Sequence, residues 1–499
     1  MTADRGRGRD RRPWDGDLPP RVEGDLPVTE AERAADAVAA DATLAVSGFG
    51  SVGYPKRVPL ALAARAERED LSLTVVSGGS TGGEIDTEMI AAGAVDRRLP
   101  YQATEAARAA ANDRSMAFQD RHIVGMSDEV VFGRTADPDV AVVEAVAVGP
   151  DWLVPSLSIG QTPAYVAAAD ELIVEVNAAQ PRELARLHDV YRQAPPPDRA
   201  PIPLTAPGER VGGPAVRFPP EKLRAVVRTD RAGDPYDFRE PTAADEAIAD
   251  NLVDFLVAER ERDPVVGAAP TLQFGVGSLG NALMAGLADS PLAGSDLRYF
   301  GEVIQDGLLD LLDAGDLAVA SATSLALSAT GQERLYESLQ RYARDVVLRP
   351  SAVSNRPGVV DRMGVVAVNS AASVDLYGHV NSTHVRGSRV LNGVGGSADF
   401  NRSAHVTVVA LPSTAAGGDV SRVVPKATHV DHTEHDVDCV VTEHGVADLR
   451  GTAPVERARR LIGVAHPEFR PDLEAYLERA TERGGHQPHD LETAFDWRS

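Results

Sequence analysis

One glycine-punctuated turn occurs twice in this chain, and both times inside the same succession of elements. The first copy reads ATLAVSGFGSVG, with Gly48, Gly50 and Gly53; the second reads TLQFGVGSLG, with Gly275, Gly277 and Gly280. The pattern predicts an amphipathic helix before each copy (residues 29–40 and 242–260), then a short β-branched strand, then another helix, PLALAARAERE or NALMAGLADS. The strands that come next also correspond, LSLTVVSGG at 71–79 and LRYFGEVIQDG at 297–307. Both lead into a helix that closes on Ala-Gly, at Ala92-Gly93 and at Ala314-Gly315. Self-similarity on this scale means two copies of one α/β unit. The copies part at one position: after the second strand the first half offers Ser77-Gly78-Gly79 and the second offers Gly301-Glu302. A carboxylate on the second copy alone marks that half as the place for chemistry.

A chain of 499 residues exceeds what one core supports. The expected fold class is α/β: two tandem open α/β domains with mostly parallel sheets and Gly-rich strand–helix loops. Residues 1–25 read as a flexible tail and 26–221 as the N-terminal domain. That domain's apolar runs (LAVSG, LTVVSG, HIVGM, DVAVVEAVAVG, ELIVEVN) are expected as strands between helices. A Pro- and Gly-dense stretch, 194–220, breaks both periodicities and sets the expected boundary. Residues 222–499 form the C-terminal domain, with strands LAVAS (317–321), VVAVNS (365–370), VTVVALP (406–412) and DCVVTE (438–443). The chain is expected to end in one surface helix (472–483) and a loose end.

Charge narrows the function classes. Asp plus Glu number 74 against 50 Lys plus Arg, a formal charge of −24, which argues against nucleic-acid partners because a polyanion needs a basic footprint. Only Lys56, Lys222 and Lys426 are lysines. An acidic, Lys-poor, Arg-rich composition is what a high-salt cytoplasm favours, with GC-rich codon bias as the alternative. Cys439 stands alone, so no intrachain disulfide forms. The N-terminus, MTADRGRGRDRRPWDGD, has no apolar signal core, and no run approaches the ~20 apolar residues that span a bilayer. The expectation is a soluble, cytoplasmic protein with no membrane partner.

Several motifs carry chemistry. Two GxGxxG turns between strand and helix suggest a dinucleotide site, since glycines let the backbone approach a phosphate and the helix start favours an anion. Against a nicotinamide stand Tyr54-Pro55-Lys56, which delay the first helix, and the lack of a clearly placed acid to hold a ribose. NGVGGSADFNRS (392–403) follows a strand, and Gly393, Gly395 and Gly396 bring several amides together, a donor nest for an oxyanion or phosphate. HVDHTEHDVDC (429–439) interleaves His429, His432 and His435 with carboxylates, a spacing open to zinc or to a polar structural loop. Glu302 falls at a strand's carboxyl end, where open α/β sheets collect ligands. Apolar pairs on either side of Gly301-Glu302 are expected to shield it and so raise its pKa and its reactivity.

Taken together, GEVIQDG (301–307), SNRPGVVDRMGVVAVNSAASVDLYGHVNSTHV (354–385), NGVGGSADFNRSA (392–404) and HVDHTEHDVDCVVTEHGVADLRG (429–451) resemble one family. It is the acetyl-CoA hydrolase/transferase group of the class I CoA-transferases, which includes succinyl-CoA:acetate CoA-transferases. SGFGSVGYPKRVP (47–59) and VPSLSIGQTP (154–163) are similar to it too. The resemblance implies tandem CoA-transferase-type domains, a homodimer, and Glu302 as a nucleophile that forms an acyl-glutamyl anhydride and then a glutamyl-CoA thioester. It implies no metal and no cofactor beyond CoA as substrate, and it reassigns the histidine stretch to structure. It further implies that Gly277, Ser278, Leu279, Gly280, Asn281, Asn392 and Gly396 line the oxyanion and CoA site, and that Glu443 lies beside the acyl pocket. Ala416 departs from the pattern, because many relatives carry at that place a lysine thought to touch CoA. The implied activity is transfer of CoA between short acids of the acetate and succinate type. Hydrolysis of acetyl-CoA through the same intermediate is the alternative, since the two differ in how well the site excludes water. A non-catalytic CoA- or nucleotide-binding regulator would be expected to lack Glu302.

Overall fold

Runs of small and branched apolar residues build the two sheets. Val140–Val148, VAVVEAVAV, is buried at every position, as a strand covered on both faces must be. The computed structural model describes residues 18–294 and 296–495.

The first sheet runs, in spatial order, Val28–Thr29, Leu223–Thr229, Glu171–Asn177, Val140–Val148, Thr43–Val46, Leu73–Ser77, Val95–Leu99 and Ala117–Phe118, all parallel. Trp152–Pro155 and Val216–Arg217 add an antiparallel flap. The second sheet runs Val346–Leu348, Leu317–Ala322, Leu297–Phe300, Thr271–Phe274, Val365–Ser370, Val406–Ala410 and Cys439–Thr442, again parallel, and closes on antiparallel Gly445–Asp448. The α/β architecture with mostly parallel sheets is therefore as expected. Thr43–Val46 and Thr271–Phe274 hold the same place in their sheets. From each, the chain first builds outward on one side and then returns to build on the other. The crevice at their carboxyl ends is thus a topological switch point, where doubly wound folds bind ligands.

Several expectations need correction. HIVGM is not a strand but the start of helix Ile123–Val131, and its buried residues Ile123, Met126, Ser127 and Val130 follow a helical period. Leu223–Thr229 pairs with Glu171–Asn177, so the first domain continues past residue 221 to Thr229. The Pro-rich stretch is not a bare linker. Ile202 and Leu204 pack with Phe300, Val360 and Phe400 of the second domain, and Arg362 donates to both of their carbonyls at 2.8 Å. The described end of the supposed tail is anchored too: Val22 bridges Val148, and the Arg21 guanidinium donates to the carbonyls of Val146, Asn177, Ala178 and Gln180. Residues 1–17 lie outside the described residues.

The C-terminal helix spans Arg470–Glu482 and buries Leu473, Tyr476, Leu477 and Ala480 against the second domain. The segment beyond this helix is held rather than loose: the Tyr377 hydroxyl donates to the Pro488 carbonyl, and Ala494 is buried. No helix of the described residues is long and apolar enough to cross a membrane.

Candidate active site

The strand Leu297–Phe300 delivers Glu302 to the switch point. Gly301 N donates to Ser321 O at 2.9 Å, and Glu302 O accepts from Thr323 N (2.9 Å) and Ser324 N (3.1 Å). Val303 and Ile304 then pair with Ser324 and Leu325, which fixes the backbone on both sides of the glutamate. Its side chain faces a cavity of about 610 Å³ walled by both domains: Phe49, Gly79 and Tyr101 from the first, Gly275, Val276, Asn369 and residues 391–397 from the second. Glu302 Oε1 accepts from Asn355 Nδ2 at 2.6 Å. Burial raises the carboxyl to about 7, against the pull of the Asn355 N–H. A shielded carboxylate that is still substantially ionised at neutral pH is a competent nucleophile.

The glycine loop expected as a donor nest does reach Glu302. A Cβ placed on Gly396 would fall 1.9–2.3 Å from the Glu302 carboxyl group, so only glycine allows this approach. The first domain presses the loop into position. A Cβ on Gly393 would meet Tyr101 at 2.8 Å, Val394 N donates to both Asp120 oxygens (3.0 and 2.9 Å), and Asn392 Nδ2 donates to Tyr101 OH at 3.3 Å. Asp120 is pushed by burial up to about 7. Asn392 Oδ1 is buried and has no hydrogen-bond partner among the described residues.

At the second glycine turn the helix Ser278–Ala288 starts after Gly277, whose φ of 139° only glycine adopts readily. No side chain caps this start, although Gly277 N reaches Gln305 Oε1 at 3.3 Å. The cavity wall here is Gly275 and Val276. The expected stretch 277–281 lies just off that wall. Ser278 Oγ accepts from Arg239 Nη2 (2.6 Å), Leu279 packs partly on the core, Gly280 presses on the Gly275 carbonyl, and Asn281 N donates to Gly277 O (3.0 Å). Glu443 is also off the wall. Both of its oxygens are taken by Ser413, Oε2 by the backbone N (2.8 Å) and Oε1 by the hydroxyl, and its charge acts on Arg422, which does line the cavity.

The histidine stretch braces the wall. His432 Nε2 meets Ser397 Oγ at 3.3 Å, and His429 Nε2 meets Asp431, whose carboxylate accepts the Ser382 and Thr383 amides. His435 is exposed beside Glu434. Ala416 sits exposed in a small hairpin at φ 51°. Lys426 and Arg422 bring positive charge to the wall, although neither is Ala416's neighbour in sequence.

Sequence reasoning named Glu302, Gly396 and Asn392, and these meet in one cavity. It passed over Asn355, Asp399, Tyr101 and Asp120. Asn355 and Asp399 fall inside quoted motifs, yet only folding shows that they share a hydrogen bond at 3.1 Å.

Comparison with known proteins identifies the family. The acetyl-CoA hydrolase/transferase N-terminal domain matches residues 26–200 and the C-terminal domain of the same family matches residues 331–477. The chain is 41% identical to a succinyl-CoA:acetate CoA-transferase of Clostridium kluyveri, covering 94% of this chain and 88% of that protein. It is 38% identical to a propanoyl-CoA:succinate CoA transferase of Escherichia coli (93% and 96% covered) and 37% identical to an acetyl-CoA hydrolase of Schizosaccharomyces pombe (90% of each). Among solved structures, RipA from Yersinia pestis shares the fold with a TM-score of 0.69 at 23% identity, over 91% of this chain and 97% of that one. A 4-hydroxybutyrate CoA-transferase from Porphyromonas gingivalis does so with a TM-score of 0.62 at 22% identity, over 91% and 97%.

Proposed function

The chain belongs to the acetyl-CoA hydrolase/transferase family, and from that premise we propose that it is an acyl-CoA:carboxylate CoA-transferase for short acids, acetate and succinate first. One observation carries the reading: a partly buried glutamate, its carboxyl raised by desolvation, at the switch point of the second sheet, in touch with the Gly396 backbone, in a cavity that both domains wall.

The steps use this chain's own groups. A Glu302 carboxylate oxygen attacks the thioester carbonyl; the C–S bond breaks and CoA leaves as thiolate, giving an acyl-glutamyl anhydride. The thiolate attacks the glutamyl carbonyl; the C–O bond breaks, the first acid leaves as carboxylate, and a glutamyl-CoA thioester remains. An incoming carboxylate reverses the sequence and departs as the new acyl-CoA, with Glu302 restored. Each attack passes through an oxyanion, for which the amides of Gly395 and Gly396 and of the turn beside Gly275 are the candidate donors, the Val394 amide being held by Asp120. The Asn355 N–H favours the ionised Glu302 that the first attack requires. Arg422 and Lys426 on the wall offset the ammonium absent at position 416.

A homodimer, a cytoplasmic setting and tolerance of high salt complete the proposal. The family resemblance supports the first, and the charge of −24 supports the last. Sedimentation, and melting temperature as a function of salt, test them. To test the activity, purified enzyme is incubated with acetyl-CoA, with and without succinate, and acyl-CoA species are followed by mass spectrometry. Rapid succinyl-CoA formation is expected. Free CoA released at the same rate in both reactions would instead mean hydrolysis, the activity named for the Schizosaccharomyces pombe relative.

A further inference from the structure

The amide that holds the nucleophile is itself held. Asn355 is fully buried; its Nδ2 donates to Glu302 Oε1 at 2.6 Å and to Asp399 Oδ2 at 3.1 Å, while its Oδ1 accepts from Ser354 Oγ at 3.0 Å. Asp399, 3% exposed, extends the chain into the other domain: its Oδ2 also accepts from the backbone N of Val124 at 2.8 Å, in the first turn of helix Ile123–Val131. A continuous path of hydrogen bonds therefore runs from a helix of the first domain, through Asp399 and Asn355, to the carboxylate of the second.

We propose that Asp399 is a positioning residue, which fixes the Asn355 amide against Glu302 and ties that placement to the seating of the first domain through Val124. The proposal rests on the reading of Glu302 as nucleophile. Without Asp399, the Asn355 amide keeps a single anchor on its oxygen and can turn about its last torsion away from Glu302. Misplacement on the scale of 1 Å costs ~10²-fold in a reaction that depends on alignment.

The charge state fits the geometry. The charged or titratable groups around Asp399 are Glu302, His122 (Nδ1 at 3.8 Å from Oδ1), Arg356 and Arg402. Burial, and after it Glu302, push Asp399 up to about 8, whereas burial holds Glu302 at about 7. Because the charge on Glu302 raises Asp399, an ionised Glu302 favours a protonated Asp399. A neutral acid that accepts two N–H groups on one oxygen is shaped like an amide, so Asn is the conservative replacement. Above about pH 8 a second buried negative charge competes for the Asn355 N–H and opposes the developing oxyanion.

The test is single-turnover formation of the borohydride-trapped Glu302 adduct against pH, in the full-length enzyme and in Asp399→Asn and Asp399→Leu. Leu should slow adduct formation ~10²-fold, Asn should recover most of that loss, and the fall in rate expected of the unaltered enzyme above about pH 8 should be absent in Asn. Equal losses in Asn and Leu, or an alkaline limb unchanged in Asp399→Asn, would overturn the proposal. The second comparison decides the matter even if Leu does not fold. Failure of the unaltered enzyme to form any adduct on Glu302 would instead bring down the nucleophile reading on which the proposal stands.

Discussion

At the turn after Thr43–Val46, the helix that comes next begins against a protein carboxylate; at the matching turn after Thr271–Phe274, the only side-chain acceptor shown for the helix start is the neutral Gln305 amide on Gly277 N. In the first half Glu175, fully buried, accepts from the backbone amides of Lys56 (2.9 Å), Arg57 (3.0 Å) and Val58 (2.6 Å). Lys56 beside it is spent on Glu144 at 2.5 Å. The glycines of this turn are packed around: a Cβ on Gly53 would strike Ser158 at 2.6 Å. In the second half, Cβ atoms on Gly275 and Gly277 would meet nothing within 4 Å. One anion site is thus filled from within, and the other faces a cavity. The first turn still serves the second, because Phe49 packs with Val303 and Ala326 beside the nucleophile. Duplication supplied two equivalent turns, and a buried glutamate made one of them scaffold.

The largest effect should come from Glu302→Ala. Nucleophile loss costs on the order of 10⁴-fold or more, and no residue in the equivalent place of the first half, where Gly78 and Gly79 stand, can substitute. Transfer assays with acetyl-CoA and succinate measure it; retention of substantial activity would erase the distinction between the halves. Next is Gly396→Val. A side chain there must displace the Glu302 carboxyl, and loss of an oxyanion donor alone costs ~10²–10³ in turnover. Turnover should collapse while melting temperature changes little; the reverse outcome would make the loop mere scaffold.

Glu175→Ala sharpens the contrast from the other side. Three buried amides lose their acceptor, a cost of about 3 kcal/mol, while turnover per folded molecule is retained. Denaturant unfolding and active-site titration on one sample measure both. The smallest effect is a pH signature. A carboxyl raised to about 7 in the folded state binds its proton more tightly there than in the unfolded chain, so its contribution to stability is present at low pH and lost as pH rises through about 7. Glu302→Gln should therefore melt with the unaltered enzyme near pH 4 and above it by about pH 8. A pH-independent difference would mean that the glutamate is not desolvated.

Much of this was legible in the sequence, and the rest has a physical reason for being hidden. The duplicated turns, the long buried strands and the displaced carboxylate are local patterns, written in consecutive residues. The Val/Ala-rich strands 140–148 and 365–370 read directly because parallel strands are apolar throughout. Helix Ile123–Val131 reads as a strand because a short apolar run does not reveal its period until Ser127 and Val130 are counted with Ile123 and Met126. The boundary near residue 221 misses a strand because Leu223–Thr229 comes after a Pro-rich stretch yet returns to the first sheet. Asn355 and Asp399 stay hidden because their roles depend on meeting Glu302 and Val124 in space, across a domain interface that no spacing encodes. Glu443, which a motif named, is held by Ser413 next to Arg422 of the cavity wall, a neighbourhood that its sequence position alone does not reveal.

The most direct test of this division of labour is to treat the full-length enzyme with acyl-CoA, reduce it with borohydride, and map the peptides. A mass change on the peptide that contains Glu302, and on none from residues 43–99, is the expected result. Label in the first half, or continued transfer with Glu302 unmodified, would contradict it.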